Sequence, residues 1–317
     1  MEMRRQRNFI WIATLVSASF CFSHAQQDPM YSQYMWNSLS VNPAYAGSAD
    51  ALSALMLIRK QWLGIAGAPH TQNTAVHMPD RMGKNAFGLN ITNDQISYLG
   101  QTWTTLSYSY RIITNRGNLC LGLSASVYNY RINWNKAKLI DPNDVIPAIY
   151  GRSMVLPNTG FGIYYYADNF YLGASVPHLL VNSLSTFTPG VKFDDKDVTV
   201  AALKRHYFVM GGYVFKPSPN LWFKPSFLYK YVYGAPMQFD FNLNLYFNQK
   251  FGIGTSFRSG DGIVALMEYH FTPQFTAGYG YDYPFTALNG YTSGSHELLL
   301  RYDFRFSNHA VVSPRVF

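Results

Sequence analysis

A two-residue alternation of side-chain character is the feature that most constrains the fold of this chain. Between Gln238 and Asn248 the odd-numbered residues are apolar and the even-numbered ones are mostly polar. The segments Phe87–Thr92 and Leu298–Phe306 repeat the pattern, the second with Leu299 as an apolar exception. Because successive side chains of a β-strand point to opposite faces, this period predicts strands with one apolar face and one polar face.

About fourteen such segments follow one another along the 317 residues. An even number of strands suits a closed barrel with a lipid-facing apolar surface, whereas a soluble sandwich would bury the same face in its core. The period alone does not separate the two folds. Only 13% of the residues are charged and 17% are aromatic, against about 25% charged residues in an average soluble domain, which favours the membrane barrel.

The predicted connections alternate in length. Those after even-numbered strands are tight, as at Pro79–Gly83 and Gln249–Lys250, whereas those after odd-numbered strands include the long segments Arg131–Leu156, Pro177–Leu203 and Pro284–Gly294. Outer-membrane barrels have short periplasmic turns and longer extracellular loops. The sequence therefore predicts an all-β fold, a closed antiparallel transmembrane β-barrel of about 14 strands over residues 51–306, with a periplasmic tail at 307–317.

Residues 1–25 have the form of an export signal. Arg4, Arg5 and Arg7 precede an apolar run from Phe9 to Phe22, and cleavage is predicted before Gln26. No later stretch approaches the roughly 20 apolar residues of a transmembrane helix. The predicted location is therefore the outer membrane of a bacterial cell, reached after the signal peptide is cleaved.

Residues 26–50 precede the first strand and form a predicted periplasmic or plug segment. Its large apolar side chains are unfavourable in water, and its Asn-Pro sequence predicts a rigid turn. The segment fits either a plug in the lumen or a docking segment for a periplasmic partner, and a leader packed on the barrel rim is the structural alternative. The candidate partner-binding residues are Tyr31, Tyr34, Met35, Trp36, Asn42, Pro43 and Tyr45.

Charged residues on the polar faces of the later strands predict a hydrogen-bonded network inside the lumen, where paired charges tolerate desolvation. Its predicted members are Arg258, Glu268, His270, Asp282, Arg301, Asp303 and Arg305. Glu268 and His270 share a face, but two ligands without a third do not define a metal site. The loops at Asp141–Asp144 and Asp194–Asp197 lack the full ligand register of a calcium site.

Other kinds of chemistry find little support in the sequence. No Ser, His and acid set has an interpretable spacing, and the formal net charge of +8 is not gathered into a run of Lys and Arg. The pairs Gly252/Gly254 and Gly278/Gly280 lie inside predicted strands, where small side chains leave room for neighbours or a plug. We therefore predict no catalytic residues, no metal, no cofactor and no nucleic-acid partner.

Sequence blocks spread over nearly the whole chain provide a second line of evidence. They are Asp28–Met35, Asn42–Ser48, Arg59–Trp62, Gly67–Gln72, Leu139–Asp144, Ser175–Leu180, Lys230–Pro236, Phe257–Asp261, Gly280–Tyr283 and Ser293–Glu297. In this order they resemble the PorP/SprF family of outer-membrane proteins of the type IX secretion system.

The resemblance implies a non-enzymatic barrel that supports protein secretion and surface attachment in gliding or adhesive bacteria. The partners it implies are outer-membrane lipid, the periplasmic ring components of the secretion system, and a secreted adhesin or other cargo with a C-terminal sorting domain. The resemblance does not choose between two roles, a PorP-like core part of the secretion system and an SprF-like partner of one adhesin. The alternative function is a passive outer-membrane channel for small or hydrophobic solutes.

Overall fold

The computed structural model describes residues 29–133, 154–181, 192–193, 196–197 and 203–304. The predicted signal 1–25, the loop residues 141–144 and 194–195, Arg305 and the tail 307–317 lie outside the described residues. None of the helices in the described ranges is long and apolar enough to span a membrane.

Within the described residues, one sheet contains fourteen consecutive strands of the barrel wall. They are β1 Leu52–Lys60, β2 His70–Pro79, β3 Asn85–Ile96, β4 Leu99–Thr114, β5 Gly117–Ile132, β6 Met154–Tyr166, β7 Phe170–Val176, β8 His206–Tyr213, β9 Leu221–Val232, β10 Gln238–Phe247, β11 Phe251–Arg258, β12 Gly262–His270, β13 Phe275–Pro284 and β14 Ser295–Phe304. The short strand Phe215–Ser218 pairs with β9, and Lys192–Phe193 pairs with Lys196–Asp197. The 3-10 helices in the described part of the chain span Ser38–Ser40, Pro43–Tyr45 and Ala287–Gly290.

Each strand pairs antiparallel with the next in sequence, and β14 pairs with β1. The closing register runs from Leu52 opposite Phe304 to Lys60 opposite His296. Closure pairs the backbone around the whole circumference, which a membrane-spanning sheet requires because hydrocarbon offers no hydrogen bonds. The predicted closed antiparallel barrel is confirmed.

The two ends of the barrel differ. The long-loop end carries the connections after odd-numbered strands, and the short-turn end carries those after even-numbered strands together with Leu52 and Phe304. The strands β5 and β6 reach further into the predicted 131–156 connection than expected, to Ile132 and Met154. Two tight connections, Ser97–Tyr98 and Ser259–Asp261, also lie at the long-loop end.

Side chains alternate between the outer surface and the lumen, as the two-residue period predicts. In β10, Phe239, Phe241 and Phe247 are exposed on the outer wall, whereas Asp240 and Asn242 are buried inside. A soluble core would bury the phenylalanines instead. The exposed aromatic surface therefore marks the face that contacts lipid.

Candidate functional site in the barrel lumen

The lumen is occupied by the chain's own residues Pro29–Asp50, here called the lumen segment. Tyr34, Trp36 and Tyr45 are at most 2% exposed, although the segment belongs to no strand. Ser32 contacts the long-loop ends of β13 and β14, and Asp50 contacts Arg111 near the short-turn end of β4. The segment thus runs through the barrel from the long-loop end to the short-turn end, where β1 begins.

Tight turns allow an irregular segment to sit in this enclosed space. The backbone N–H of Trp36 donates to the Gln33 carbonyl at 3.1 Å, and that of Asn37 donates to the Tyr34 carbonyl at 3.0 Å. Asn42 caps the 3-10 turn that starts at Pro43, because its Oδ1 accepts the Ala44 N–H at 3.0 Å. Local bonds of this kind satisfy backbone groups that burial would otherwise leave unpaired.

An apolar core forms between the lumen segment and the inner wall. The segment contributes Tyr34, Met35, Trp36 and Leu39, and the wall contributes inward-facing leucines. These wall residues are Leu55, Leu57, Leu266 and Leu299. Leu299 was the apolar exception in the β14 pattern, so the departures from alternation mark where the segment packs against the wall.

Glycines in the wall let the segment approach its backbone closely. A Cβ on Gly122 would overlap the Ala44 nitrogen, and a Cβ on Gly162 would overlap the Asn42 side chain. A Cβ on Gly278 would overlap Gln33, which fits the expectation that this strand glycine leaves room. The wall is therefore shaped to fit this particular segment.

A buried ion cluster, the Arg59 cluster, holds the segment at the long-loop end. Arg59 Nη2 lies 2.5 Å from Asp282 Oδ2, and Arg59 Nη1 lies 3.0 Å from Glu297 Oε2. Arg59 Nη1 also donates to Ser32 Oγ at 2.7 Å, and Ser32 Oγ donates to Asp282 Oδ2 at 2.8 Å. The backbone N–H groups of Ser32 and Gln33 donate to Glu297 at 2.9 and 2.8 Å. One arginine thus neutralises two carboxylates that themselves bind the segment.

A second arginine extends this arrangement along the wall. Arg258 Nε donates to Asp240 Oδ2 at 3.0 Å, and its Nη2 donates to the Tyr31 carbonyl at 3.2 Å. Its Nη1 lies 3.4 Å from Asp261 Oδ2. Asn242 Nδ2 donates to Tyr34 Oη at 2.5 Å. Wall charges and amides therefore anchor both backbone and side chains of the segment.

The other end of the segment is fixed by a separate set of contacts. Arg111 donates to Asp50 Oδ1 at 2.5 Å and to the Gly47 carbonyl at 2.7 Å. The Gly47 N–H donates to His77 Nδ1 at 3.0 Å. Gly47 has a φ of +76°, a conformation that glycine adopts without strain. His70 lies on the opposite face of β2 from the buried His77, as their spacing predicts.

The predicted polar network divides into two clusters. Arg258 and Asp282 lie at the long-loop end with the contacts described above, whereas Glu268, His270, Arg301 and Asp303 lie toward the short-turn end. There His270 Nε2 is 3.0 Å from Glu268 Oε1, and Arg301 Nε is 3.3 Å from Asp303 Oδ2. Tyr246 Oη donates to Glu268 Oε2 at 2.9 Å. Within the described ranges, no group of three or more potential metal ligands occurs.

Sequence reasoning missed three wall residues, Arg59, Glu297 and Asp240. Arg59 and Glu297 bond to the lumen segment, and Asp240 bonds to Arg258. Arg59 shares the inward parity of Leu55 and Leu57 in β1, and a charge on this buried face is the signal that could have identified it. Register explains the pairs, since Arg59 lies opposite Glu297 and Asp240 lies opposite Arg258. Matching the inward-facing residues of neighbouring strands would have predicted both ion pairs.

These features define an outer-membrane β-barrel whose lumen is filled by its own N-terminal segment. The family model described as the type IX secretion system membrane protein PorP/SprF matches residues 23–302, and the chain belongs to this family. No individually curated protein matches the sequence.

Solved structures that resemble the chain are barrels of low sequence identity. The Ralstonia pickettii toluene transporter TbuX has a TM-score of 0.52 at 9% identity, covering 85% of this chain and 93% of that one. The CymD monoaromatic hydrocarbon channel has a TM-score of 0.50 at 11% identity, covering 89% of this chain and 94% of that one. At such identities the likeness shows the fold alone.

Proposed function

We propose that this barrel is a non-catalytic scaffold of the type IX secretion system that supports the export and surface attachment of secreted proteins. The occupied lumen carries the proposal. A chain passing through the barrel would have to displace a segment that is held by the Arg59 cluster at one end and by Arg111 at the other. Partners therefore act on the outside of the barrel and at its two ends.

The proposed orientation follows from the connections. The long-loop end faces the cell exterior and holds cargo, such as an adhesin with a C-terminal sorting domain, because outer-membrane barrels carry their longer loops outside. The short-turn end faces the periplasm and contacts the ring components. Family membership supports both kinds of partner.

Docking of a partner to the N-terminal residues stays a prediction. Seven residues proposed for docking are all buried inside the barrel: Tyr31, Tyr34, Met35, Trp36, Asn42, Pro43 and Tyr45. A partner could reach them only if the segment left the lumen. We therefore assign the first contact with the periplasmic machinery to the short turns. Contact with these seven residues is assigned to a state in which the segment has left the lumen.

Gene deletion followed by quantitative proteomics tests the proposal. The proteins on the cell surface and in the culture fluid are compared between the deletion strain, the parent and a complemented strain. Loss of all sorted substrates identifies a core secretion part, and loss of one adhesin identifies a dedicated partner. An unchanged set of secreted proteins contradicts the proposal.

The second candidate is a passive channel, favoured by the structural likeness to TbuX, a toluene transporter, and to CymD, a hydrocarbon channel. In this chain a cavity of about 40 Å³, lined in part by Met30, Trp103 and His178, lies beside the lumen segment and accommodates a few water molecules. A wider cavity of about 440 Å³, lined in part by Pro29 and Arg258, lies at the long-loop end. The segment runs from this end to the short-turn end, so a channel through the lumen requires the segment to move.

A further inference from the structure

The outer wall of the barrel has a groove at the long-loop end that the secretion role does not explain. Its volume is about 670 Å³ and its lining combines aromatic, aliphatic and basic side chains. The lining residues are Val181, Lys204, Arg205, Tyr207, Tyr231 and Tyr233.

The groove lies next to a place where two neighbouring strands differ in length. The pairing of β6 with β7 starts at Phe161 opposite Val176, so β6 residues 154–160 extend beyond the end of β7. After β7 the chain places His178 inside the barrel, where it bonds to Tyr128 Oη at 2.7 Å. The chain then emerges at Leu179, whose N–H donates to the Thr159 carbonyl at 2.9 Å. Val181, two residues further on, forms one side of the groove.

The floor and sides of the groove are apolar and exposed. Tyr207 of β8 and Tyr231 of β9 are directly opposite in register, with ring centroids 6.0 Å apart. Val181 is 57% exposed and Tyr233 is 78% exposed. On a barrel that lies in a membrane, an apolar concavity of this kind faces acyl chains.

Two cations stand at the edge of this apolar surface. Lys204 Nζ lies 3.4 Å from the Tyr233 carbonyl, and Arg205 Nε donates to the Leu179 carbonyl at 2.8 Å. Across the described ranges, neither side chain forms an ion pair with a carboxylate. The remaining guanidinium donors of Arg205 and the ammonium group of Lys204 thus complement an anion at the level of the lipid headgroups.

We propose that this groove binds a phosphorylated lipid of the surrounding leaflet. The acyl chains lie against Tyr207, Tyr231 and Val181, and Lys204 and Arg205 bind the phosphate. The chemistry that recognises this lipid is an anionic phosphate joined to an apolar chain, because each half of the groove fits only one half of such a molecule. This proposal depends on the barrel lying in a membrane and not on its role in secretion.

Native mass spectrometry of the purified, detergent-solubilised protein tests the site. The protein is titrated separately with phosphatidic acid, with diacylglycerol that has the same acyl chains, and with inorganic phosphate, and the three affinities are compared. We expect phosphatidic acid to bind at least tenfold more tightly than either probe, and Lys204→Gln/Arg205→Gln to lose at least tenfold of that affinity. Arg131→Gln is the matched control, since Arg131 is an exposed cation at the same end outside the groove, and its affinity should change less than twofold.

Three results would overturn the proposal. They are equal binding of phosphatidic acid and diacylglycerol, equal binding of phosphatidic acid and inorganic phosphate, and unchanged affinity in the double variant. Heat-modifiable migration on gels verifies that each variant retains a folded barrel. A photo-crosslinker in place of Tyr231 adds an in-cell test, in which a lipid adduct supports the proposal and a protein adduct in its place contradicts it.

Discussion

Removing the positive charge of the Arg59 cluster should release the lumen segment. Arg59→Met keeps an unbranched apolar chain of similar length but leaves Asp282 and Glu297 buried with no cation at 2.5 and 3.0 Å. Breaking a buried ion pair on one side costs about 3–5 kcal/mol. Because each 1.4 kcal/mol is a factor of ten, this free energy corresponds to a roughly 100- to 4,000-fold increase in the population of the released segment.

Thiol accessibility measures this population. Ser38→Cys places a thiol at a lumen-segment position that is 2% exposed, in a background in which the buried Cys120 is replaced by Ala. When opening is fast relative to modification, the labelling rate by a water-soluble maleimide follows the opening equilibrium. We expect Arg59→Met to increase the rate at least 100-fold and Arg116→Met, in an exposed short turn, to leave it unchanged.

A charge-balanced variant separates charge from packing. In Arg59→Met/Asp282→Asn/Glu297→Gln no uncompensated charge remains, and buried ion networks replaced by neutral groups are often neutral or stabilising. The labelling rate should therefore return most of the way to that of the parent. A rate for Arg59→Met within threefold of the parent would refute the reasoning.

Three further substitutions test the fit of the segment. Gly122→Ala introduces a Cβ that overlaps the segment backbone and should lower the free energy of unfolding by about 1–3 kcal/mol, measured by denaturant titration in detergent, whereas Gly290→Ala, with open space around its Cβ, should not. Leu299→Ala should lower the free energy of unfolding by about 2–5 kcal/mol, and Leu300→Ala, at the outward-facing neighbour, should lower it much less. Similar values for the two variants would contradict the inward packing of Leu299. Asn42→Ala should lower the free energy of unfolding by about 1 kcal/mol, because the 3-10 turn loses its cap. An increased rate of maleimide labelling at Ser38→Cys would check this expectation.

The alternation of side chains was sufficient to predict the wall. Phe239 and Phe241 face outward and Asp240 and Asn242 face inward because strand geometry fixes these directions locally. The path of the lumen segment was not predictable in the same way. It depends on the closed barrel, which brings Ser32, Arg59, Asp282 and Glu297 together across sequence separations of up to 265 residues.

The division of the polar network has a similar cause. Glu268 and Asp282 both face the lumen, so parity alone joined them in one predicted network. Register places Glu268 opposite Gly278, which precedes Asp282 in β13 and lies closer to the short-turn end, and so sets the height of each charge within the barrel. Strand direction and register, and not side-chain parity alone, decide which inward charges meet.

Conductance of the purified protein in planar bilayers tests most directly the claim that the lumen is closed by residues 29–50. The full chain is compared with a variant lacking residues 29–47, after both are shown to migrate as folded barrels. The account predicts conductance near the lipid baseline for the full chain and large, stable channels for the deletion variant. Equally large channels from the full chain would contradict it.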